Sequence, residues 1–494
     1  MQHLAILPIL LPAFFAVALL LFPLQSAVKL RRVASVGAMA LNLLVATLLL
    51  WQQTNVPATH YLLGNWPEPF GILLVADQLS ALFVWLTTLL TVAVSVYSCA
   101  GDDEKGSYFH PLLHFLLMGL NGAFLTGDLF NLFVFFEVLL ISSYGLLVHG
   151  GGKKRIHSAL HYVVLNLVGS ALFLLALALL YAMLGSLHMA DMAERITTLA
   201  PTEVLGVKAA AGLLLIVFGL KAALLPLHFW LPAAYSQASA SVAAVFAVMT
   251  KVGIYSLLRV FGLLFGASAG TLSGYGDALL WWGGLLTMLL AAAMVLAAMD
   301  LKKLSAALVL LSAGTLLAAL GSGDSQVKAA ALLYAIHSSW IGAVWYLLSD
   351  MIARQRGSVG DRLVPGPRLP HAVLLGWFFV FSALVVIGMP PFSGFVAKLW
   401  LIQGLTATED GMVLIATLLL SSLAVLVALS RAGSVLFWRA QPAVPATAAS
   451  ERLPVVALGF LLLAGFTLVI FGQWWTQFCA DAIAQLLAAT GDFR

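Results

Sequence analysis

Long apolar runs without charged residues recur from one end of the chain to the other, and they constrain the fold more than any other feature of the sequence. A run of about 20 apolar residues is long enough to cross a bilayer as a helix. Only 9% of the 494 residues are charged, whereas about 25% is usual in soluble domains. The sequence therefore predicts an all-α polytopic membrane protein and excludes a cytosolic enzyme. A net charge of +4 also leaves no large basic surface for nucleic acid.

The apolar runs predict about fourteen transmembrane helices. The predicted spans lie near residues 4–24, 33–51, 78–98, 110–127, 128–148, 157–186, 207–225, 239–264, 277–298, 302–320, 326–350, 372–404, 411–437 and 453–476. The first run has no basic region before it and no small-residue cleavage pattern after it. We therefore interpret it as a retained helix and not as a signal peptide.

Two of the runs are interrupted by prolines. Pro226 and Pro232 interrupt the seventh run, and Pro390 and Pro391 interrupt the twelfth. Proline removes a backbone donor and breaks a helix, which a membrane tolerates where the break lines a polar cavity. One broken helix in each half of a chain is typical of transport sites built on repeats. Ordinary proline kinks are the alternative interpretation.

The distribution of basic residues predicts the orientation of the chain. Sixteen Lys and Arg residues fall in the odd-numbered loops, whereas four fall in the even-numbered loops and the tail. Because loops rich in Lys and Arg stay in the cytoplasm, we predict that the odd-numbered loops are cytoplasmic. Both termini would then be external.

Four ionisable residues lie deep inside predicted spans, and they are Glu137, Lys221, Lys251 and Lys398. An ionisable group at the bilayer centre costs at least about 2.5–3.5 kcal/mol and usually serves a function. One carboxylate and three lysines on four helices cannot all be satisfied by one fixed ion pair. A structural Glu137–Lys221 pair that only joins two helices is one interpretation. A proton or ion relay that uses the same pair dynamically is the other.

Three other charges in or near the spans receive no catalytic role. Asp77 and Asp128 fall at span ends, where we expect water to reach them. Arg259 follows Lys251 by eight residues, which is a rise of about 12 Å along a helix. We therefore expect its side chain to extend to the membrane interface.

Histidines offer a second kind of proton carrier, because neutral imidazole both relays protons and binds metals. His110 and His114 lie four residues apart on one helical face, as do His157 and His161. We expect no carboxylate nearby to complete a zinc site, and so we favour interfacial or relay roles. His337 lies between the two broken helices and is either a buried core histidine or a relay station between the lysines of the two halves.

The sequence contains no recognisable cofactor site. Cys99 and Cys479 are too few for a disulfide framework, an iron–sulfur cluster or a Cys-based zinc site. The glycine-rich segment 150–154 lacks the spacing of a phosphate-binding loop and a preceding strand. We therefore expect no cofactor and no bound metal.

Four segments together resemble a known family. FLTGDLFNLFVFFEVLLISSYGL at 124–146 is similar to its fifth-helix carboxylate signature, and KAALLPLHFWLP at 221–232 is similar to its broken seventh helix. MTKVGIY at 249–255 and MPPFSGFVAK at 389–398 resemble its eighth and broken twelfth helices. The family comprises the proton-pumping subunits of respiratory complex I and the subunits of Mrp-type cation/proton antiporters. The sequence at 121–130 and 141–144 is most similar to the D-type subunits of the Mrp antiporters.

The resemblance implies fourteen helices in which helices 4–8 and 9–13 form two inverted five-helix repeats. The corresponding regions would be helices 1–3 at 1–109, the first repeat at 110–265, the second repeat at 266–440 and the last helix at 441–494. The four buried charges would form an axis along the middle of the membrane. The resemblance further implies a subunit of a hetero-oligomer in the bacterial cytoplasmic membrane, in contact with lipid and without a prosthetic group.

Three features depart from the family pattern. Many relatives carry a lysine four residues after the histidine of helix 11, whereas Ile341 occupies that position after His337. The segment 238–241 lacks the prolines that many relatives carry after the seventh-helix break. The span at 302–320 has no counterpart of Glu137, so we expect the two halves to be chemically unequal.

These observations predict a proton-translocating subunit of a multisubunit antiporter that exchanges Na⁺, or K⁺ or Li⁺, for protons. Glu137 and Lys221 would form the switchable pair, Lys251 and His337 the connecting relay, and Lys398 the exit group. A proton-pumping subunit of a complex I-type oxidoreductase or a membrane-bound hydrogenase is the main alternative. A non-translocating scaffold subunit and a stand-alone transporter are two others.

Overall fold

The computed structural model describes residues 2–21, 24, 27–66, 71–440 and 452–492. The predicted region boundary at 441 and Arg494 lie outside the described residues. The helices are α1 (Leu7–Ala18), α2 (Val28–Gln53), α3 (Gln78–Ser98), α4 (Phe109–Leu125), α5 (Leu129–Val148), α6 (Lys153–Leu184), α7 (Met189–Thr197), α8 (Val204–Lys221), α9 (Trp230–Gln237), α10 (Ala240–Leu264), α11 (Asp277–Ala297), α12 (Leu301–Leu320), α13 (Ser325–Gln355), α14 (Ala372–Ile387), α15 (Ser393–Leu405), α16 (Gly411–Trp438), α17 (Arg452–Ile470) and α18 (Gly472–Asp492).

Eleven of the described helices are long and apolar enough to cross a membrane. Three shorter apolar helices, α1, α4 and α14, coincide with the first, fourth and twelfth predicted spans. The chain is thus an all-helical polytopic membrane protein. Three carboxylates, those of Asp77, Asp128 and Asp324, accept backbone N–H groups at the first turns of α3, α5 and α13. Such caps satisfy donors that a helix start leaves free.

A small β-hairpin departs from the all-α prediction. Strands β1 (Thr59–Leu62) and β2 (Leu73–Ala76) pair antiparallel, with His60 opposite Val75. β2 is fully buried between the bundle and β1. The hairpin lies in the loop before α3 and satisfies the backbone groups of this buried segment, as buried N–H and C=O groups require.

Three helices form the centre of the bundle. The most apolar windows of α10 and α13 are buried along their whole length, and α12 is nearly so. α6, by contrast, buries only one side and presents the other to the surroundings of the chain. Small residues allow close helix contact, which drives helix association in membranes. A Cβ atom on Gly284 of α11 would lie 2.3 Å from the backbone nitrogen of Ala318 of α12.

Contacts between loops assign the helix ends to two faces of the bundle. On one face, the carboxylate of Asp102 after α3 accepts a hydrogen bond from Ser241 at the start of α10 and lies 3.7 Å from Arg354 at the end of α13. On the other face, Asp77 before α3 meets Arg259 near the end of α10. Three odd-numbered loops therefore share one face. Which face is cytoplasmic stays a prediction from the basic residues.

The C-terminal helices differ from the prediction of a single span over 453–476. α17 ends at Ile470, and a separate helix, α18, begins at Gly472. α18 packs against α3 and α13. Its sequence is less apolar than most of the spans, and for this reason the hydropathy pattern alone does not predict it.

Candidate functional site

Glu137 and Lys221 are each held by a neutral residue of α6. Glu137, near the middle of α5, is half-buried and accepts a hydrogen bond from the hydroxyl of Ser170. Lys221, the last residue of α8, is buried, and its Nζ donates to Oδ1 of Asn166 at 2.8 Å. Asn166 and Ser170 lie about one turn apart on α6. The carboxylate and the ammonium are therefore near each other electrostatically but not in direct contact.

The first helix break directly follows Lys221. α8 ends at this residue and α9 begins at Trp230, with Pro226 in the interruption and Pro232 in the first turn of α9. The indole Nε1 of Trp230 donates to the carbonyl of Leu220 at 3.0 Å. This bond satisfies one of the carbonyls that the helix end leaves free.

α10 packs directly onto the broken end of α8. A Cβ atom on Gly253 would lie 2.6 Å from the backbone nitrogen of Ala222, so only glycine allows this approach. Ala223 adopts a left-handed backbone with φ 60°, which costs about 1–3 kcal/mol for a residue other than glycine. Lys251, two residues earlier on α10, is turned about 200° around the helix from Gly253, and its ammonium faces Ser312 of α12.

Lys251 and His337 are both buried, and each contacts a serine of another helix. Lys251 has no exposed surface, and its Nζ donates to the hydroxyl of Ser312 of α12 at 2.8 Å. His337 of α13 is also buried, and its Nδ1 is 3.0 Å from the hydroxyl of Ser393. Lys251 and Lys398 are the charged groups that act electrostatically on His337. Both lysines are therefore near enough to His337 to act on its charge.

The second break separates α14 from α15. α14 ends at Ile387 and α15 begins at Ser393, and Pro390 and Pro391 lie in the interruption. Ser393 is also the residue that contacts His337. The break therefore brings a helix start directly to the buried histidine.

Lys398 closes the broken end of α14. Its Nζ donates to the carbonyls of Ile387 at 2.9 Å and Val386 at 3.2 Å, and to the hydroxyl of Ser422 at 2.9 Å. A positive charge at the C-terminus of a helix is favourable because the partial negative charge of the helix dipole lies there. Lys398 is half-buried, like Glu137, whereas the groups between them are buried.

A cavity of about 130 Å³ adjoins His337. Ile341, Trp340 and Ser393 line it with several aromatic side chains. The indole Nε1 of Trp340 is buried and has no hydrogen-bond partner among the protein atoms. The volume is enough for a few water molecules at about 30 Å³ each. The lining is almost entirely apolar, however, and apolar cavities usually stay free of water.

Two predictions about the other charges in and near the spans are wrong. Arg259 does not extend to the interface, because it is buried and donates to Oδ1 of Asp77 at 2.7 Å and to the hydroxyl of Tyr255. Asp77 is not reached by water, because only 4% of its surface is exposed. The two charges shield each other from water at the end of the bundle. Because they are far apart in the sequence, no local pattern predicts that they pair.

The expectation that His110 has no carboxylate nearby is also wrong. His110 Nε2 lies 3.2 Å from the buried carboxylate of Asp103. With the thiol of Cys99, these groups offer three atoms of the kinds that bind metals, all within 4.8 Å of one another. Arg32, however, donates to both oxygens of Asp103 at 2.7 Å. The guanidinium already neutralises the carboxylate, so we interpret the cluster as an ion pair that joins α2, α4 and the loop between α3 and α4.

The Asp103 pair predicts a dependence of stability on pH. Burial alone would raise the pKa of the Asp103 carboxyl, but the bonds from Arg32 and His110 outweigh burial and hold the pKa well below its usual value. A carboxyl with a lowered folded-state pKa stabilises the fold above its unfolded pKa of about 4 and loses this contribution as the pH falls further. We expect thermal stability to fall below about pH 4 less steeply in Asp103→Asn than in the wild type.

Neighbouring Glu104 provides the control for this measurement. It also meets Arg32, at 2.7 Å, but more than half of its side chain is exposed. Glu104→Gln should keep the wild-type acid transition because exposed pairs contribute little. Equal acid transitions in the wild type and Asp103→Asn would contradict the prediction.

The structure adds residues that the sequence reasoning missed. A neutral side chain contacts each of the predicted site residues, and these side chains are Asn166, Ser170, Ser312, Ser393 and Ser422. Isolated Ser and Asn residues in apolar spans are common, so nothing in the sequence separated these from the others. A helical-wheel comparison of α6 would have placed Asn166 and Ser170 on one side.

Comparisons with known proteins identify the family. Residues 126–424 match the model described as NADH:quinone oxidoreductase/Mrp antiporter, TM. The D-type subunit of a probable K⁺/H⁺ antiporter of Rhizobium meliloti is 41% identical, with 93% of this chain and 91% of the relative covered. The D-type subunit of a Na⁺/H⁺ antiporter of Bacillus subtilis is 34% identical, with 99% and 98% covered.

Two solved structures share the fold. A chain of the Mrp complex from Dietzia sp. DQ12-45-1b superposes with a TM-score of 0.86 at 24% identity, with 98% of this chain and 97% of that chain covered. A chain of respiratory complex I from Thermus thermophilus gives 0.82 at 22% identity, with 99% and 100% covered. The low identities to the two solved structures show a shared fold only, whereas the identities of 41% and 34% to the two sequence relatives show the family. The chain therefore belongs to the family of D-type Mrp antiporter subunits, which are transporter subunits within the NADH:quinone oxidoreductase/Mrp antiporter superfamily.

Proposed function

We propose that the chain is the proton-translocating subunit of a multisubunit cation/proton antiporter. In this proposal protons move along Glu137, Lys221, Lys251, His337 and Lys398. The complex exchanges them for a monovalent cation. One relative is named for K⁺ and the other for Na⁺, and the chain's identity to each leaves the choice between the two cations to experiment.

The partners of the buried charges carry this proposal. Lys221, Lys251 and Lys398 each donate to a neutral oxygen and not to a carboxylate. A fixed structural ion pair would join opposite charges, as Arg259 and Asp77 do. Lysines held only by neutral groups in a desolvated environment can lose and regain a proton without leaving a buried carboxylate unpaired.

The first step uses the electrostatic coupling of Glu137 and Lys221. When Glu137 accepts a proton, the negative charge that stabilises the Lys221 ammonium disappears. Lys221 then releases its proton to Lys251, and Glu137 passes its own proton to the neutral Lys221, so that the carboxylate and the ammonium are both restored before the cycle repeats. Lys251 passes the proton to His337, and His337 passes it to Lys398.

The two ends of the route differ from its middle in exposure. Glu137 and Lys398 are half-buried, on the outer helices α5 and α15. A charge that is partly exposed on the side of a membrane bundle is costly unless another polypeptide or water meets it. This supports a hetero-oligomeric assembly with other antiporter subunits. We propose a bacterial cytoplasmic membrane location with odd-numbered loops inside and both termini outside.

The inverted repeats belong to the same proposal. Each predicted repeat, 110–265 and 266–440, contains one helix break beside a buried lysine, Lys221 or Lys398. Two similar breaks would allow the two halves to open alternately. A complex I-type pumping subunit is the second candidate because the complex I chain has the same fold over 99% of this chain. Copurification with small antiporter subunits, and not with quinone-reducing ones, favours the antiporter.

Glu137→Gln tests the proposed function. Glutamine is similar in size but cannot take up a proton, so cation-dependent proton flux of the assembled complex in everted vesicles should fall by about a hundredfold or more. Glu104→Gln, outside the route, should keep full flux. Full antiport by Glu137→Gln at normal assembly would reject the proposal.

A further inference from the structure

Two neutral residues of α6 stand between the first carboxylate and the first lysine. Asn166 Oδ1 accepts from Lys221, and the Ser170 hydroxyl donates to Glu137. Because the two residues lie one turn apart on one side of α6, a single helix holds both charges.

The orientation of the Asn166 amide is fixed by a second bond. Its Nδ2 donates to the carbonyl of Tyr162 at 2.7 Å, and this leaves Oδ1 as the acceptor for Lys221. Asn166 is 3% exposed, and a flipped amide would face the ammonium with a donor and the Tyr162 carbonyl with an oxygen, both of which are unfavourable. The residue therefore presents an oxygen to Lys221 in a defined position.

The surroundings of Lys221 allow it to move towards Glu137. Its Nζ lies 5.8 Å from the ring centre of Phe136, the residue immediately before Glu137 on α5. The ring face attracts the ammonium. Glu137 is the one charged group that acts on Lys221 electrostatically among the described residues.

We propose that Asn166 and Ser170 are positioning residues that hold Lys221 and Glu137 apart in a resting state, and that each transport cycle exchanges these neutral contacts for direct contact between the two charges. The inference rests on the proposed function and adds residues to it. Asn166 and Ser170 take no proton themselves. They set how often the carboxylate and the ammonium meet.

Three substitutions test the inference in the assembled complex. Ser170→Ala removes the donor to Glu137, and Asn166→Asp, which keeps the size of the side chain, places a fixed anion 2.8 Å from the ammonium. Each should lower antiport turnover by about tenfold, the effect of losing or fixing one hydrogen bond to a charged group. Ser170→Thr keeps the hydroxyl and should restore turnover.

Ser143→Ala is the matched control. Ser143 also joins α5 to α6, through the hydroxyl of Tyr162 at 3.0 Å, but touches no buried charge. Ser143→Ala should keep wild-type turnover. A loss of turnover in Ser170→Ala then cannot be explained by a general weakening of the contact between α5 and α6.

Infrared difference spectroscopy distinguishes positioning from a structural role. The C=O band of protonated Glu137, identified by its absence in Glu137→Gln, should move to higher wavenumber in Ser170→Ala because the carboxyl loses a hydrogen bond. It should stay in place in Ser143→Ala. Wild-type turnover in Ser170→Ala with an unshifted band overturns the inference, and should that variant not assemble, wild-type turnover in Asn166→Asp overturns it.

Failure of the inference and failure of the proposed function give different results. If Glu137→Gln abolishes flux while Asn166→Asp and Ser170→Ala turn over normally, only the role of α6 is wrong. If Glu137→Gln itself transports normally, the proposed function is wrong.

Discussion

Lys251→Met should abolish antiport in a complex that still assembles. Lys251 is fully buried on the central helix α10, and its ammonium meets Ser312 on α12. No other basic residue lies between Lys221 and His337 in the proposed route. Methionine has a similar length and no charge, so it removes the proton carrier while filling the same volume. Proton flux in everted vesicles should fall below detection.

The control for this prediction keeps the titratable group. Lys251→His places a proton carrier in the same region and should retain part of the flux, with a changed pH optimum. Lys208→Met, at the start of α8 and outside the route, should behave as the wild type. Wild-type flux in Lys251→Met, with normal amounts of assembled complex, would exclude a single route through this residue.

Arg259→Met should strongly destabilise the folded protein. The guanidinium and the Asp77 carboxylate are almost fully buried, and Tyr255 also binds the guanidinium. Removing one partner of a buried ion pair leaves an uncompensated charge and costs about 3–5 kcal/mol. The amount of assembled complex and its melting temperature in detergent should both fall sharply.

A double-mutant cycle identifies the cause of this loss. Asp77→Asn alone should also destabilise, whereas Asp77→Asn with Arg259→Met should recover part of the stability because no unpaired charge is left. The more exposed pair Asp191–Arg195 offers a comparison, and Arg195→Met should cost less than Arg259→Met because solvent screens the charges. Additive losses in the double variant would show that the two charges do not stabilise each other.

Charges in apolar runs were predictable from the sequence because burial of a charge is costly wherever the chain goes. The residues Glu137, Lys221, Lys251 and Lys398 required no knowledge of the fold. The two breaks were visible for a similar reason, since proline cannot continue a helix. The family resemblance supplied the order of the helices.

Contacts between distant segments were not predictable. Asp77 and Arg259 are 182 residues apart, and a residue at a span end looks exposed until another helix covers it. The neutral partners on α6 were missed because an amide or hydroxyl in a span has many acceptable local contacts. α18 was missed because its polar residues lower its hydropathy below that of most spans. It nevertheless packs on α3 and α13.

The ammonium of Lys398 is both an ionisable group and a structural contact at the second helix break. Its three acceptors include two main-chain carbonyls at the last turn of α14, so its proton is part of the structure that ends this helix. A neutral amine donates fewer hydrogen bonds and no longer balances the negative end of the helix dipole. Each departing proton would therefore loosen the turn that holds it, and its return would tighten that turn. The protonation state of Lys398 would then change the backbone around it. Movement of the α14–α15 junction should therefore follow the protonation of this one side chain.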